Sequence, residues 1–236
     1  MITLVSAVIL AGALILGAGA IPALAHDLWV GERDGRYVVL NGHGEEMQFY
    51  EAASIKEVKA YGIDGKERPT TTLPDSFGIA ITRGRGIAAI VVLQDEGFWS
   101  LTPDGYRQLP KKALKDVVES SYNLNTTKTL FVWSNAMAKP LGMPFEVVPL
   151  KDPLSLKTGD KLPVEVRYEG KALEGVLVDG GDSDGLREKC DDRGRIEVTI
   201  GARGRQTVSA NHSIPYKNLA EADELSLVTN LTFTVK

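Results

Sequence analysis

Apolar and polar side chains alternate along this chain with a period of two, broken at short intervals by turn residues, and this pattern restricts it to folds built from strands. Leu162, Val164, Val166 and Tyr168 alternate with Pro163, Glu165 and Arg167; Ile196, Val198 and Ile200 alternate with Glu197 and Thr199; Leu231, Phe233 and Val235 alternate with Thr232 and Thr234. A strand turns successive side chains to opposite faces, so each run offers one face to a core. Turn clusters separate the runs at Glu169-Gly170-Lys171, from Asp179 to Gly185, and at Asp191-Asp192-Arg193-Gly194. Short strands with this punctuation predict a mostly β protein of the immunoglobulin-like sandwich type.

The first half is strand-rich but less regular, with candidates at Tyr37 to Leu40, Ile55 to Tyr61, Gly78 to Thr82 and Ile87 to Leu93. One helix is expected, from Lys111 to Ser121, because Ala113, Leu114, Val117 and Val118 recur at helical spacing. Pro149 and Pro153 interrupt pairing where the clean alternation begins, which predicts a boundary there. The expected organisation is a leader over residues 1–25, a β-rich domain over 26–149 and a β-sandwich domain over 150–236.

The leader carries no charged side chain, runs apolar from Ile2 to Leu16, and continues through Gly17, Gly19 and Pro22 to Ala23-Leu24-Ala25. An apolar stretch, helix breakers and small residues at the −3 and −1 positions are the layout of a secretory signal peptide cleaved after Ala25. The usual positive n-region is missing, and a retained membrane anchor is the alternative. Cleavage places the chain in the periplasm or outside the cell and makes His26 its first residue. In such an oxidising compartment the one cysteine, Cys190, has no internal partner. It reads as a small, partly buried side chain.

Charged residues make up 25% of the chain and its formal net charge is −4; no basic stripe points to nucleic acid. There is no Gly-x-Ser-x-Gly elbow, phosphate loop, His-Glu-x-x-His helix or Cys-x-x-Cys pair, so the expectation is a protein that is not an enzyme. The acidic run from Asp179 to Gly185 invites a calcium reading, but its spacing fails the EF-hand pattern, which would put the first ligand at Gly180.

Scarcity singles out the histidines. There are three: His26 at the predicted new terminus, His43 between Gly42 and Gly44, and His212 after the strand candidate Arg205 to Ala210. A terminal histidine chelates through its free α-amine and its ring together, and imidazole and amine nitrogens suit nickel, cobalt, copper and zinc rather than magnesium or calcium. His26, His43 and His212 are therefore the candidate metal ligands. Each of the last two, taken singly, also reads as an ordinary surface histidine.

The start His26-Asp27-Leu28-Trp29, the Gly42-His43-Gly44 motif, Lys128-Thr129-Leu130, the link Pro144-Phe145-Glu146-Val147-Val148-Pro149-Leu150 with Asp152-Pro153, the Gly159-Asp160 turn and the closing Leu231-Thr232-Phe233 resemble a secreted domain-of-unknown-function family. That family is often described as the periplasmic component of cobalt or nickel ABC-type transport systems. The resemblance spans the mature chain and implies that its Ala-His start, Gly-His motif and late histidine fall on His26, His43 and His212. The second domain also resembles a carboxypeptidase-regulatory or collagen-adhesin-B type sandwich.

These readings lead to a periplasmic protein that binds nickel or cobalt and delivers it to a membrane transporter component. Two alternatives stand beside it. One is a copper carrier, zinc also being compatible with the donors. The other is a structural or adhesive two-sandwich protein with incidental histidines, whose Trp29, Trp99 and Trp133 would line a recognition surface or pack in its core.

Overall fold

In a computed structural model, residues 27–43, 46–76, 78–82, 84–180 and 187–236 are described, with the backbone alone at His43. The predicted leader, the predicted terminal ligand His26, the His43 ring and most of the acidic turn lie outside the described residues. In chain order the strands are β1 (Asp27–Arg33), β2 (Arg36–His43), β3 (Glu46–Met47), β4 (Ile55–Gly62), β5 (Glu67–Arg68), β6 (Thr72–Asp75), β7 (Gly78–Ile81), β8 (Ile87–Thr102) and β9 (Gly105–Arg107). They continue with β10 (Glu119–Leu130), β11 (Phe145–Pro149), β12 (Lys161–Tyr168), β13 (Lys171–Ala172), β14 (Leu177–Gly180), β15 (Glu188–Lys189), β16 (Arg195–Thr199), β17 (Gly204–Pro215) and β18 (Glu224–Val235).

Among the described residues these strands form three sheets in three layers. A front sheet runs β1-β2-β7-β6, with β3 on β2; a central sheet runs β15-β14-β17-β18-β10-β8-β4-β5, with β9 on β8; a back sheet runs β11-β12-β13, with β16 on β12. The alternation of β8 feeds both interlayer spaces. Ile90 and Val92 join Leu28, Val30, Tyr37, Val39 and Ile81 beneath the front sheet. Ala89 and Val91 join Phe145, Leu162, Val164, Val166, Leu231 and Phe233 on the back side.

The mostly β expectation is met, and the alternating runs are strands β12, β16 and β18. One feature differs from the sequence reading. Lys111 to Ser121 is not a helix: only Lys111–Ala113 make a 3-10 turn, Leu114 is extended, and β10 begins at Glu119. The segment is pulled straight by external partners. Lys111 donates its N–H to the Glu221 carbonyl, Lys112 pairs with Glu221 and Lys111 with Asp223, and the Val118 N–H goes to the Leu101 carbonyl.

Strands from either side of Pro149 share one sheet. β10, from before it, and β18, from after it, pair in parallel without a register break from Ser121 opposite Glu224 to Thr129 opposite Thr232. The central sheet therefore draws strands from both halves.

β10 is the middle strand of the molecule, and its sequence is polar. Ser120, Asn125, Thr126, Thr127, Lys128 and Thr129 are all buried. Each layer it touches receives a bond from it. Thr129 Oγ1 accepts the Val30 N–H of the front sheet at 2.9 Å, and Thr126 Oγ1 donates to the Phe145 carbonyl of the back sheet at 2.6 Å. Lys128 and Glu146, each 2% exposed, form an ion pair at 2.5 Å. Glu146 also accepts the Leu141 N–H at 2.9 Å on both oxygens, and Lys128 donates to the Lys139 carbonyl at 3.3 Å. Burial pushes the Lys128 pKa down while the neighbouring carboxylate opposes it.

Candidate metal centre

The site is best built outward from β1, the strand that begins immediately after His26. β1 and β2 are antiparallel, with Asp27 opposite Gly42, Leu28 opposite Asn41 and Trp29 opposite Leu40. The residue after His26 is thus paired with the residue before His43. β2 then turns into β3, with His43 opposite Glu46 and Gly42 opposite Met47. Gly42 is required there: its φ is +154°, and a Cβ would collide with the Glu46 carbonyl oxygen. The glycine before His43 lets β3 fold back closely enough to pair.

The start of β1 lies on the front face of the central sheet and is held there by side chains of β17 and β18. Asn230, 1% exposed, is the centre of that contact. With its amide oriented so that donors meet acceptors, Asn230 Oδ1 accepts the Leu28 N–H at 2.9 Å, while Nδ2 donates to Ser209 Oγ at 2.7 Å and to the Thr229 carbonyl at 3.2 Å. Ser209, which accepts from Asn230, keeps its own proton for Asp27 Oδ1 at 3.4 Å. Arg205, two turns of the pleat earlier on β17, lays its guanidinium 3.7 Å from the centroid of the Trp29 ring. Burial pushes the Arg205 pKa down and the Asp27 carboxylate acts against that shift.

His212 lies on β17 as well, but on the other face. β17 pairs with β18 without a break from Gly204 to Pro215, and side chains alternate along it. Ser209 therefore points to the front layer and His212 to the back. The ring of His212 lies 5.7 Å from that of Tyr168 and 6.1 Å from that of Phe145, both in the back sheet. Partial burial there holds its pKa below the usual 6.5. The structure thus brings together the neighbours of His26 and His43, and sets His212 apart from them by the thickness of the central sheet. Among the described residues, no three histidine, cysteine or acidic side chains stand close enough to hold a metal ion.

Cys190 packs in the back core, where burial pushes its thiol up to about 11. At that value it stays protonated and is a poor nucleophile and ligand. Ser209 and Asn230 carry no signal in the sequence. They lie 182 and 202 residues from the β1 atoms they bond, and only the folded register brings them there.

A family model covers residues 23–214 of this sequence. The chain belongs to the family described as "Domain of unknown function (DUF4198)". All three histidines fall inside the matched span; the whole of β18, with Asn230, lies beyond it. No curated protein and no solved structure matches the chain.

Proposed function

We propose that this member of the DUF4198 family is a non-enzymatic periplasmic protein that binds a divalent transition metal ion, nickel or cobalt, and passes it to a membrane transporter. The His26 amine and ring would chelate the ion and His43 would add a further nitrogen. The observation that carries this reading is the β1–β2 register, in which Asp27 faces Gly42. It puts Asp27, which follows His26 in sequence, and Gly42, which precedes His43, at the same end of the front sheet, and this supports a shared site. His212 is left out of the ligand set because its ring packs against the back sheet.

Both ligand types must lose a proton to bind, and the unperturbed values are about 6.5 for histidine and about 7.7–8.0 for an α-amine. Affinity is therefore expected to fall as pH drops below about 6.5. The test is a Ni²⁺ and Co²⁺ titration of protein beginning at His26, repeated with one alanine added before His26 and with His43→Ala. Each change is expected to weaken binding at least tenfold. Unchanged affinity in the extended protein would remove the amine from the site. Competition with Cu²⁺ and Zn²⁺ at controlled free-ion levels ranks the cargo, copper being favoured at nitrogen sites by intrinsic affinity.

A further inference from the structure

Farther along β8 and β10 than the contacts with β1, the front face of the central sheet carries a polar patch. Asn125 stands opposite Gln94, Asn123 opposite Gly97 and Ser121 opposite Trp99, so these residues share the face that Thr129 turns to β1. A register shift between Asn123 and Leu124 leaves Glu96 with no residue opposite it, and such a bulge re-aims a side chain. Asn123 and Asn125 both donate an amide N–H to the Glu96 carboxylate. Asn125 also donates to Gln94 Oε1 at 3.2 Å, and Gln94 donates to Ser54 Oγ at 3.1 Å. Burial raises the Glu96 pKa, and no cation acts against that shift.

Two atoms of this patch stand outside the network. Trp99 Nε1 and Asn123 Oδ1 are buried and have no hydrogen-bond partner. Asn123 turns its amino group to Glu96, which leaves its oxygen as the free end. Gly97 sits opposite Asn123 and two residues before Trp99, and no atom lies within 4 Å of where its Cβ would be. Buried polar atoms are ordinarily paired. A single group that pairs with both must accept from the indole N–H and donate to the amide oxygen. A hydroxyl does so, whereas an ammonium only donates and a carboxylate only accepts. The tryptophan ring adds a second requirement. Trp29 is 4% exposed under Arg205 and Trp133 packs against the back core, but Trp99 joins none of the apolar clusters and stays half-exposed. Its ring offers an apolar surface beside a polar tip.

We propose that Glu96, Trp99 and Asn123 form a binding site for a neutral sugar, one hydroxyl of which accepts from Trp99 Nε1 and donates to Asn123 Oδ1. The C–H face of the sugar packs on the Trp99 ring. Half-exposed side chains change rotamer within nanoseconds, and rotation of Asn123 admits the hydroxyl. Glu96 orients the Asn123 amide and, having no cation beside it, disfavours anionic sugars. The site is independent of the metal-binding reading.

The experiment titrates the protein with maltose, cellobiose and glucuronate and follows the indole N–H signals of its three tryptophans by NMR, assigned through Trp99→Phe. A neutral disaccharide is expected to shift the Trp99 signal and leave those of Trp29 and Trp133 in place. Asn123→Ala should weaken that sugar about three- to tenfold, the worth of one net hydrogen bond. Trp99→Phe, which keeps a ring without the donor, should weaken it by a similar factor, read by calorimetry. Thermal unfolding checks each variant, and the shift in the unsubstituted protein stands whether or not a variant folds. No shift at Trp99 with either disaccharide, equal shifts at all three indoles, or a shift with glucuronate alone would overturn the proposal. So would a water contact at the Trp99 indole that persists unchanged through the titration, since the two atoms would then be bridged by water only.

Discussion

The two faces of the central sheet are joined to their covering layers in different ways. On the back, Val91, Leu231 and Phe233 pack against Phe145, Val164 and Val166, and the buried Lys128–Glu146 pair bolts the layers together inside that apolar space. On the front, an apolar patch of Ile90 and Val92 with Leu28 and Val30 is joined at β1 by single hydrogen bonds, from Val30 to Thr129, Leu28 to Asn230 and Ser209 to Asp27. Apolar contact is strong but tolerant of sliding, whereas a hydrogen bond specifies one register. Both layers bury an apolar core; the front adds a row of hydrogen bonds that fixes the start of β1.

The largest expected effect lies on the back. Glu146→Ala would leave Lys128 charged and buried without its partner and is expected to cost about 3–5 kcal/mol, read from urea unfolding. Replacing both, Lys128→Met with Glu146→Leu, should be close to neutral or stabilising, because two desolvated charges are exchanged for packing. A single variant as stable as the parent would break the contrast between the faces.

A smaller effect is expected on the front. Asn230→Ala strands the buried Leu28 N–H and should cost about 1–3 kcal/mol. Its signature is local: hydrogen exchange at Leu28 should speed up while amides of β12 keep their protection. Equal loss of protection in both layers would show that the two faces unfold as one unit.

The smallest effect sharpens the position of His212. Its folded pKa lies below the ordinary 6.5 through burial, so the unfolded chain binds its proton more readily. Stability should therefore fall as pH drops through about 6.5 and level off once the folded group is also protonated. His212→Phe, which keeps a ring between Tyr168 and Phe145, should flatten that part of the stability profile. An unchanged slope would mean that His212 is as well solvated as a surface histidine.

Much of the strand content was legible in the residues. The runs at 162–168, 196–200 and 231–235 declare a buried face through their alternation, and 55–61 and 87–93 through their β-branched and aliphatic content. β10 was not legible, because Glu119 to Thr129 has neither apolar alternation nor a continuous apolar run. It is largely buried and meets the two layers through hydroxyls and an ammonium, a pattern that resembles a loop when its partners are unknown. The helix expected near Lys111 failed for a related reason. Its spacing was helical, yet its N–H groups and lysines are bound by Glu221, Asp223 and Leu101, and such distant partners outweigh a weak local preference.

The candidate site divides along the same line. Residue types and positions in the chain were enough to nominate His26, His43 and His212, since donor chemistry is a local property. They were also enough to establish a β protein, since a period of two admits little else. Tertiary structure alone decided that β1 pairs with β2 so that the flanks of His26 and His43 meet, that His212 faces the opposite layer, and that Ser209 and Asn230 grip the start of β1. Alternation along a strand says which side chains share a face. It does not say which layer will cover that face, because that depends on pairing between strands up to two hundred residues apart.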